Sequence, residues 1–148
     1  MIKIAGHWEI DFMVPLVEAY LVNYPLREFG VEEWLMNPVS GIRNPEQRVN
    51  LTEFPDYDTM LESCADLQRV FLEPRTEHFN PETTWLHEFE HPQDCVYVFG
   101  SNHYNPTLNH VREQDVVVSI KTLRDTGVLW ANQCILTVLY DRMVKSWQ

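Results

Sequence analysis

Apolar positions along the chain follow two spacings, one typical of strands and one typical of helices. Alternating or nearly continuous apolar runs predict strands at 1–6, 31–38, 68–74, 94–100 and 115–121. Helical spacing or helix-capping residues predict helices at 12–29, 56–67, 80–91 and 127–147. Because strands and helices alternate, the pattern predicts a three-layer α/β domain with a mainly parallel sheet.

Prolines, glycines and aspartates mark where several of these elements begin or end. Pro25 is expected to kink or break the first helix, and Gly30 is a typical C-terminal stop. Asp56 and Asp58 are each suited to cap the start of the second helix. The polar stretch 40–55 predicts a long connection, and long connections inside compact domains are often functional.

Length and composition bound the class of protein. With 148 residues, of which 45% are hydrophobic, the chain is expected to fold as one domain over 1–148 and not to be disordered. No run of 18 apolar residues predicts a transmembrane helix, and the first residues lack the pattern of a signal peptide. The chain has three cysteines, an odd number, and they lie far apart in the sequence (Cys64, Cys95 and Cys134). This favours reduced thiols in the cytoplasm.

Charge and glycine spacing narrow the ligands that the chain is expected to bind. The formal net charge of −11 argues against a general binder of nucleic acid or anionic membranes, because such proteins need basic residues to displace counterions. The glycines form neither G-x-G-x-x-G nor a phosphate loop, so an ordinary nucleotide site is not supported. Ligands of open α/β sheets bind outside the carboxyl ends of strands, and Gly100 and Lys121 mark two such ends.

Three blocks in the C-terminal half resemble the motifs of one enzyme family. They are "HPQDCVYVFGSN" (91–102), "DVVVSIK" (115–121) and "GVLWANQCILTVLYDRM" (127–143). Eight residues separate Ile120 from Leu129, as in that family, and "EFGVEEWLMNP" (28–38) is similar to its helix-to-strand corner. From about Val70 to Lys145, the chain resembles the SPOUT class of methyltransferases in its SpoU/TrmH branch, which methylates 2′-hydroxyls of RNA.

The resemblance implies a fold, a cofactor and a substrate. It implies a parallel α/β sheet whose C-terminal part forms a trefoil knot, which is a rare feature among proteins. It also implies that S-adenosylmethionine is bound, mostly by backbone groups of three loops. Carried over to this chain, the cofactor-binding residues are Phe99, Gly100, Ser101, Ser119, Ile120, Thr122, Gly127, Val128 and Leu129. The implied reaction is methyl transfer to an RNA ribose 2′-hydroxyl, with tRNA and rRNA as candidate substrates.

Several positions depart from the polar motifs of the resembled family. Its arginine, which helps to activate the ribose hydroxyl, falls on Tyr24, and its asparagine falls on Glu18. Arg27, one helical turn further on, and Arg43, from the polar stretch, are therefore the candidate catalytic cations, with His7 as the next candidate. Further departures are Asn102, Lys121, Val128 and Trp130. The alternative hypothesis is a catalytically degenerate protein of this fold, which binds the cofactor or a partner without methyl transfer.

Two pairs of basic residues are the candidates for contacts with RNA. Arg43 and Arg48 lie in the polar stretch, and Lys121 and Arg124 lie beside the implied cofactor loops. Together they provide local positive charge on a chain that is acidic overall, and phosphate contacts of this kind position an RNA without reading its sequence.

The last predicted helix is apolar on nearly all sides. One wide face holds Val128, Leu129, Ile135, Leu136, Leu139, Tyr140, Met143 and Trp147, and the other holds Trp130, Cys134 and Val138. A helix of this kind is buried on two sides, one against the sheet and one against a partner. In the resembled family the partner is the same helix of a second subunit, so we expect a homodimer. The alternative partner is the predicted helix at 12–29.

The stretch "HEFEH" (87–91) supplies a third hypothesis, a zinc hydrolase. It matches H-E-x-x-H, in which two histidines on one helix face bind zinc and Glu88 would act as the base. Pro92 follows His91 directly and disfavours a helical conformation there, so we expect no zinc ion shared by His87 and His91. Cys95 begins an apolar strand, which favours an inert buried thiol over a nucleophile.

Overall fold

The structure is a computed structural model that describes residues 1–7, 25–38, 49–75, 83–100, 109–123, 129 and 131–148. Within these parts of the chain, seven strands form one sheet. They are β1 (Ile2–His7), β2 (Glu33–Asn37), β3 (Asn50–Glu53), β4 (Gln68–Leu72), β5 (Thr84–Trp85), β6 (Cys95–Phe99) and β7 (Val116–Ser119). The described helical elements include α1 (Tyr57–Glu62), α2 (Ala131–Lys145) and the 3₁₀ turns Arg27–Phe29 and Leu86–Glu88.

The strands follow the order β3-β2-β1-β6-β4-β7-β5, and every described pairing is parallel. Because successive side chains of a strand point to opposite faces, each face of the sheet carries its own apolar cluster. Tyr97 belongs to the cluster that packs against Val138 of α2. The next residue, Val98, belongs to the cluster that packs against Met60 of α1. Helix, sheet and helix form three layers, which confirms the predicted α/β architecture.

Two predicted helix boundaries are confirmed. The Asp56 carboxylate caps α1 by accepting a hydrogen bond from Thr59 N (2.8 Å). Gly30 ends the 3₁₀ turn at Arg27–Phe29 in the left-handed conformation, with φ of 72°, and its N–H donates to Arg27 O (3.1 Å). A side chain at that φ would be strained, which explains the use of glycine. The predicted kink upstream of Pro25 lies outside the described residues.

Three predicted elements differ from the structure. The polar stretch 40–55 is not a connection throughout, because its end forms the edge strand β3. The predicted helix at 80–91 is wrong for its described part, which consists of β5 and a 3₁₀ turn that ends in extended backbone at Phe89. Pairing of β5 with β7 outweighs the local helical signals. The last helix begins within the described residues at Ala131 and has 15 residues, about four turns instead of five.

The predicted trefoil knot depends on the path of residues 101–108, 124–128 and 130, which lie outside the described residues. The knot therefore stays a prediction. Among the described helices, none has the length and apolar character that crossing a membrane requires.

Candidate functional site

Three adjacent strands end side by side at the carboxyl edge of the sheet, the edge at which the parallel strands terminate. β4 lies between β6 and β7, and its Leu72 is in register with Phe99 on one side and with Val118 on the other. The predicted cofactor segments that contain Gly100 and Ser119 begin at the ends of β6 and β7. The fold therefore brings the first two of the three predicted segments together, one strand apart.

Glu73 and Ser119 join the ends of β4 and β7. Glu73 N donates to Val118 O (3.0 Å), and Ser119 Oγ donates to Glu73 O (2.6 Å). Ser119 Oγ also lies 3.0 Å from Thr83 Oγ1, just before β5. Glu73, Ser119 and Thr83 are all buried. The Ser119 hydroxyl is thus used to hold strand ends together, a role that the sequence did not indicate.

Leu129, from the third predicted segment, lies beside the first turn of α2. Its carbonyl oxygen is 3.7 Å from Cys134 Sγ. Burial raises the pKa of the Cys134 thiol to about 12, and the negative charge of Glu73 adds to that rise. Leu129, Cys134 and the Glu73 carboxylate therefore share one region of the carboxyl edge. The remaining residues of the predicted segments that lie outside the described parts are Ser101, Gly127 and Val128.

Tyr57, at the start of α1, anchors the end of β6 from the other face of the sheet. Its hydroxyl donates to Phe99 O (2.9 Å). Its ring stacks with the ring of His110 at a centroid distance of 4.9 Å and with that of His7 at 6.5 Å. His110 Nδ1 in turn lies 2.8 Å from Asp58 Oδ1. Sequence reasoning missed this cluster, because no local pattern shows that α1 reaches the end of β6.

His7 ends β1, and Asn37 ends β2 in register with it. Asn37 Nδ2 donates to Gly6 O (3.2 Å), so the Asn37 Oδ1 atom, 3.0 Å from His7 Nδ1, is the acceptor. His7 Nδ1 therefore carries a proton, and in the neutral ring Nε2 holds the lone pair. Gly6 is in register with Phe99, which places His7 beside Gly100 at the spacing of paired strands, about 4.8 Å.

Arg27 lies at the opposite, amino edge of the sheet. It is exposed in the 3₁₀ turn that precedes β2. The chain then reaches Glu32, whose N–H donates to Ile2 O (2.9 Å) at the start of β1. A strand of five residues spans about 17 Å, so the structure does not bring Arg27 together with Gly100 and Ile120. Arg43, the other candidate cation, lies outside the described residues.

A small basic patch lies at the carboxyl ends of β5 and β7. Arg75 Cζ is 4.7 Å from the centroid of the Trp85 ring, and Lys121 Nζ is 5.6 Å from it. Arg75 Nη1 also donates to Thr83 O (3.0 Å). Lys121 was predicted as an RNA contact and Arg75 was not, because only the pairing of β5 with β7 brings the two cations to one ring. The other candidate contacts, Arg48 and Arg124, lie outside the described residues.

His91 is held inside a network of protein groups. Arg142 Nη1 donates to the Tyr97 hydroxyl (3.1 Å), and that hydroxyl lies 2.6 Å from His91 Nδ1. His91 Nε2 lies 2.9 Å from Asp141 Oδ2. Both ring nitrogens are thus used within the fold, while His87 is exposed beside Glu88. This arrangement does not fit the zinc site of H-E-x-x-H, and the described residues include no group of three potential metal ligands.

Cys95 lies at the start of β6 and is fully buried. Burial is the main cause that raises the pKa of its thiol, and Arg142 Nη1 lies 3.7 Å from its Sγ. A buried thiol with a raised pKa holds little thiolate, which is the nucleophilic form. The geometry therefore favours the predicted inert role.

One face of α2 packs on the sheet and the other faces away from it. Ile135, Val138 and Leu139 are buried in the apolar cluster of the sheet. Leu136 and Tyr140 of α2, together with Trp147 just beyond its end, form an exposed stripe, in which Tyr140 is 58% exposed and Trp147 is 72% exposed. The sequence assigned Val138 to the face opposite Ile135, whereas the structure buries the two side chains together.

The fold is similar to that of solved methyltransferases. An RNA 2′-O ribose methyltransferase aligns with 100% of this chain and 57% of its own chain, with a TM-score of 0.70 and 16% identity. The SpoU methyltransferase AviRb from Streptomyces viridochromogenes, in complex with AdoMet, aligns with 99% of this chain and 58% of its own, with a TM-score of 0.71 and 10% identity. A structure described for the 2-OH methylation of C/U34 on tRNA aligns with 100% of this chain and 92% of its own chain, with a TM-score of 0.68 and 12% identity.

These likenesses confirm the predicted α/β fold, which the chain shares with solved structures described as SpoU and TrmH methyltransferases. The chain spans between 57% and 64% of the length of the first three solved structures that it matches. A scan against protein-family models found no match, and a search of curated proteins found none.

Proposed function

We propose that this protein is an S-adenosylmethionine-dependent methyltransferase that acts on a ribose 2′-hydroxyl of RNA. The observation that carries this proposal is the convergence of the predicted cofactor segments, around Gly100, Ser119 and Leu129, at one edge of a SpoU/TrmH-type sheet. Ligands of parallel α/β sheets bind at this edge. The solved structures of the same fold, described as RNA methyltransferases, support the reaction and the cofactor.

The groups at the carboxyl edge suit S-adenosylmethionine. Gly100 has no side chain and leaves the backbone open to a ligand. Ile120 and Leu72 belong to one apolar cluster, which can line the slot for an adenine ring, and half-buried Thr122 follows them along the chain. When bound, the cofactor supplies a methyl group attached to a positively charged sulfur. The chain's own residues must then orient the ribose and remove the proton of its hydroxyl.

His7 is the group that we propose for proton removal. The hydrogen bond from His7 Nδ1 to Asn37 Oδ1 fixes the ring, and the lone pair of Nε2 can accept the proton of the 2′-hydroxyl. With the hydroxyl proton taken up at Nε2, the ribose oxygen would be able to accept the methyl group that a bound cofactor would supply. Arg27 lies at the amino edge of the sheet, which supports the choice of His7 over Arg27 for this role.

The basic patch formed by Arg75, Lys121 and Trp85 supports RNA as the substrate. It places two positive charges within 5.6 Å of one ring centroid, beside the ends of β5 and β7. Phosphate contacts by such groups hold a nucleic acid in register without reading its sequence. The patch offsets the acidic character of the chain at the edge where the RNA must enter.

The second candidate function is cofactor or partner binding without methyl transfer. The position of Arg27 at the amino edge favours it, together with Tyr24 and Glu18 where the resembled family has arginine and asparagine. The two functions differ in one measurable property. The first transfers labelled methyl groups from S-adenosylmethionine to RNA as 2′-O-methylnucleosides, whereas the second binds S-adenosylhomocysteine and transfers none.

The exposed stripe made of Leu136, Tyr140 and Trp147 supports a homodimer. An apolar stripe of this kind on one helix fits the same helix of a second copy. We expect a dimer in sedimentation equilibrium at micromolar concentration, and we expect Leu136→Glu with Tyr140→Glu to yield monomers. A monomeric wild-type protein would contradict the dimer.

Three further features complete the proposal. The described strands belong to one sheet, which supports a single domain over 1–148. We retain the C-terminal trefoil knot as part of the proposed fold. An RNA substrate, together with three cysteines that form no disulfide with one another, supports a cytoplasmic location.

The experiment that tests the function uses total RNA and S-adenosylmethionine with a labelled methyl group. We expect label in RNA that is recovered as 2′-O-methylnucleoside after complete digestion. Label recovered as a base-methylated nucleoside would contradict the ribose as the acceptor. Cofactor binding without label in any RNA pool would favour the second candidate.

A further inference from the structure

A buried carboxylate lies among the three predicted cofactor segments. Glu73 follows β4, between the ends of β6 and β7, and only 4% of its surface is exposed. Its backbone N–H and carbonyl are both hydrogen-bonded to β7, to Val118 O and Ser119 Oγ. These two bonds fix the backbone from which the buried side chain extends.

The carboxylate also acts on the third segment. Its negative charge contributes to the raised pKa of the Cys134 thiol, and Cys134 Sγ lies 3.7 Å from Leu129 O. Glu73 is therefore close to the segments of Gly100, Ser119 and Leu129 at once. The resemblance to the methyltransferase family assigned no role to this position.

Burial strengthens the electrostatic effect of the Glu73 carboxylate on a nearby charge. A carboxylate is costly to bury, and in a medium of low dielectric constant it stabilises a nearby cation much more strongly than it does in water. A ligand with a positive charge near this carboxylate is therefore favoured over a ligand of the same shape without that charge. S-adenosylmethionine and its product differ in this way, because the sulfur is positively charged before methyl transfer and neutral afterwards.

We propose that Glu73 recognises the positive charge at the sulfur of S-adenosylmethionine and so selects the cofactor over S-adenosylhomocysteine. This inference rests on the proposed function, since it assigns a role to a side chain at the same proposed cofactor site. Its consequence is that loss of the methyl group weakens the hold on the cofactor and favours release of the product. Glu73 is thus a specificity-determining residue that acts on the charge of the ligand.

Titration calorimetry with three ligands tests the role of Glu73. S-adenosylmethionine carries the positive charge on sulfur, sinefungin carries a positive amine at the same place, and S-adenosylhomocysteine carries neither. We expect the wild-type protein to bind the two charged ligands about tenfold more tightly than the neutral one. In Glu73→Gln the three affinities should fall within about threefold of one another, with the neutral ligand nearly unaffected. Glu88→Gln, which removes an exposed carboxylate elsewhere, should keep the wild-type ratios.

Each other outcome has a distinct meaning. An unchanged ratio in Glu73→Gln, or an equal loss of affinity for all three ligands, would overturn the role of Glu73 while leaving the proposed cofactor intact. Binding of none of the ligands by the wild-type protein would instead overturn the proposed function. Circular dichroism establishes that each variant is folded. If Glu73→Gln does not fold, Glu73→Asp decides: a reduced preference for the charged ligands supports the inference, and an undiminished one opposes it.

Discussion

The two edges of the sheet use charged and polar side chains in different ways. At the amino edge, side chains pair with one another, as Arg69 does with Asp115 through Nε–Oδ1 (2.9 Å) and Nη2–Oδ2 (2.5 Å). At the carboxyl edge, polar groups are held by strand ends, as the Tyr57 hydroxyl is by Phe99 O and the Asn37 amide by Gly6 O. The amino edge thus ties elements of the fold together, whereas the carboxyl edge holds the groups that we propose to contact the cofactor and the RNA.

This difference follows from the parallel sheet. All the described strands end at one edge, so loops that come from distant parts of the sequence meet there. The amino edge receives the ends of the helices instead. Arg142, near the end of α2, donates from Nη2 to Gln93 O (2.9 Å) just before β6 begins. We therefore expect substitutions at the carboxyl edge to change activity and substitutions at the amino edge to change stability.

Replacement of His7 should produce the strongest loss of function. In His7→Ala we expect methyl transfer to fall by about two to four orders of magnitude, because proton removal by a positioned side chain contributes about that much. Affinity for S-adenosylhomocysteine should stay within about threefold, since the proton acceptor acts mainly in the transition state. Labelled-methyl incorporation and calorimetry measure the two quantities.

Arg27→Ala is the matched control for His7. Arg27 is an exposed residue at the amino edge, so its loss should leave the rate within about twofold of wild type. If instead Arg27→Ala abolishes methyl transfer and His7→Ala does not, the assignment of roles to the two edges is wrong.

Replacement of Arg69 should produce the strongest loss of stability. The side chains of Arg69 and Asp115 are 5% and 1% exposed, so Arg69→Met leaves a buried carboxylate without its charged partner, with only the Arg112 N–H still donating to it. We expect the free energy of unfolding to fall by about 3 kcal/mol, with unchanged cofactor affinity in the folded fraction. Urea unfolding provides the measurement, and the exposed Arg27→Met is the control. A fall of less than about 0.5 kcal/mol would show that the pair contributes nothing to the fold.

Replacement of Tyr57 tests how the carboxyl edge is anchored. Tyr57→Phe removes the hydrogen bond to Phe99 O and leaves the ring stacked on His110. We expect a loss of about 1 kcal/mol in unfolding free energy, because one buried hydrogen bond contributes about that much. Affinity for S-adenosylhomocysteine should weaken as well, because the end of β6 leads into the predicted cofactor segment. Unchanged affinity with reduced stability would make Tyr57 a purely structural residue.

The pH dependence of stability should report the network of His91 near the amino edge. Burial is the largest influence on the pKa of His91 and lowers it, although the hydrogen bond to Asp141 acts in the opposite direction. The unfolded chain therefore binds this proton more readily than the folded chain, and the contribution to stability is present above the ordinary pKa of about 6.5 and is lost as the pH falls below it. Urea unfolding should be measured at about pH 7.5 and at about pH 5.5. The difference in unfolding free energy between the two pH values should be smaller in His91→Gln than in wild type. An equal dependence in both proteins would contradict the lowered pKa.

The sequence predicts the central strands well and the edges of the sheet less well. β1, β2, β4, β6 and β7 are apolar runs in the sequence, because they are covered by other elements on both faces. β3 has the sequence "NLTE" and β5 has two residues, so neither shows a run that a pattern could detect. Their pairing with neighbouring strands, which no local signal encodes, makes them strands.

The candidate site follows the same division. Gly100 and Ile120 could be identified from strand ends and from the family resemblance, since both are properties of short segments. Glu73 and Tyr57 could not, because their positions depend on which strands are neighbours and on where a helix packs. Arg27 was a reasonable candidate by its distance along the chain from Tyr24, but sequence spacing does not tell at which edge of a sheet a residue lies.

A crystal structure of the protein with S-adenosylhomocysteine would locate the cofactor site. We expect the ligand at the carboxyl edge, against the backbone of Gly100 and Ile120 and beside Leu129, with its sulfur towards Glu73. A ligand bound at the amino edge, or no ligand in crystals grown at a concentration that saturates the protein in solution, would contradict the site.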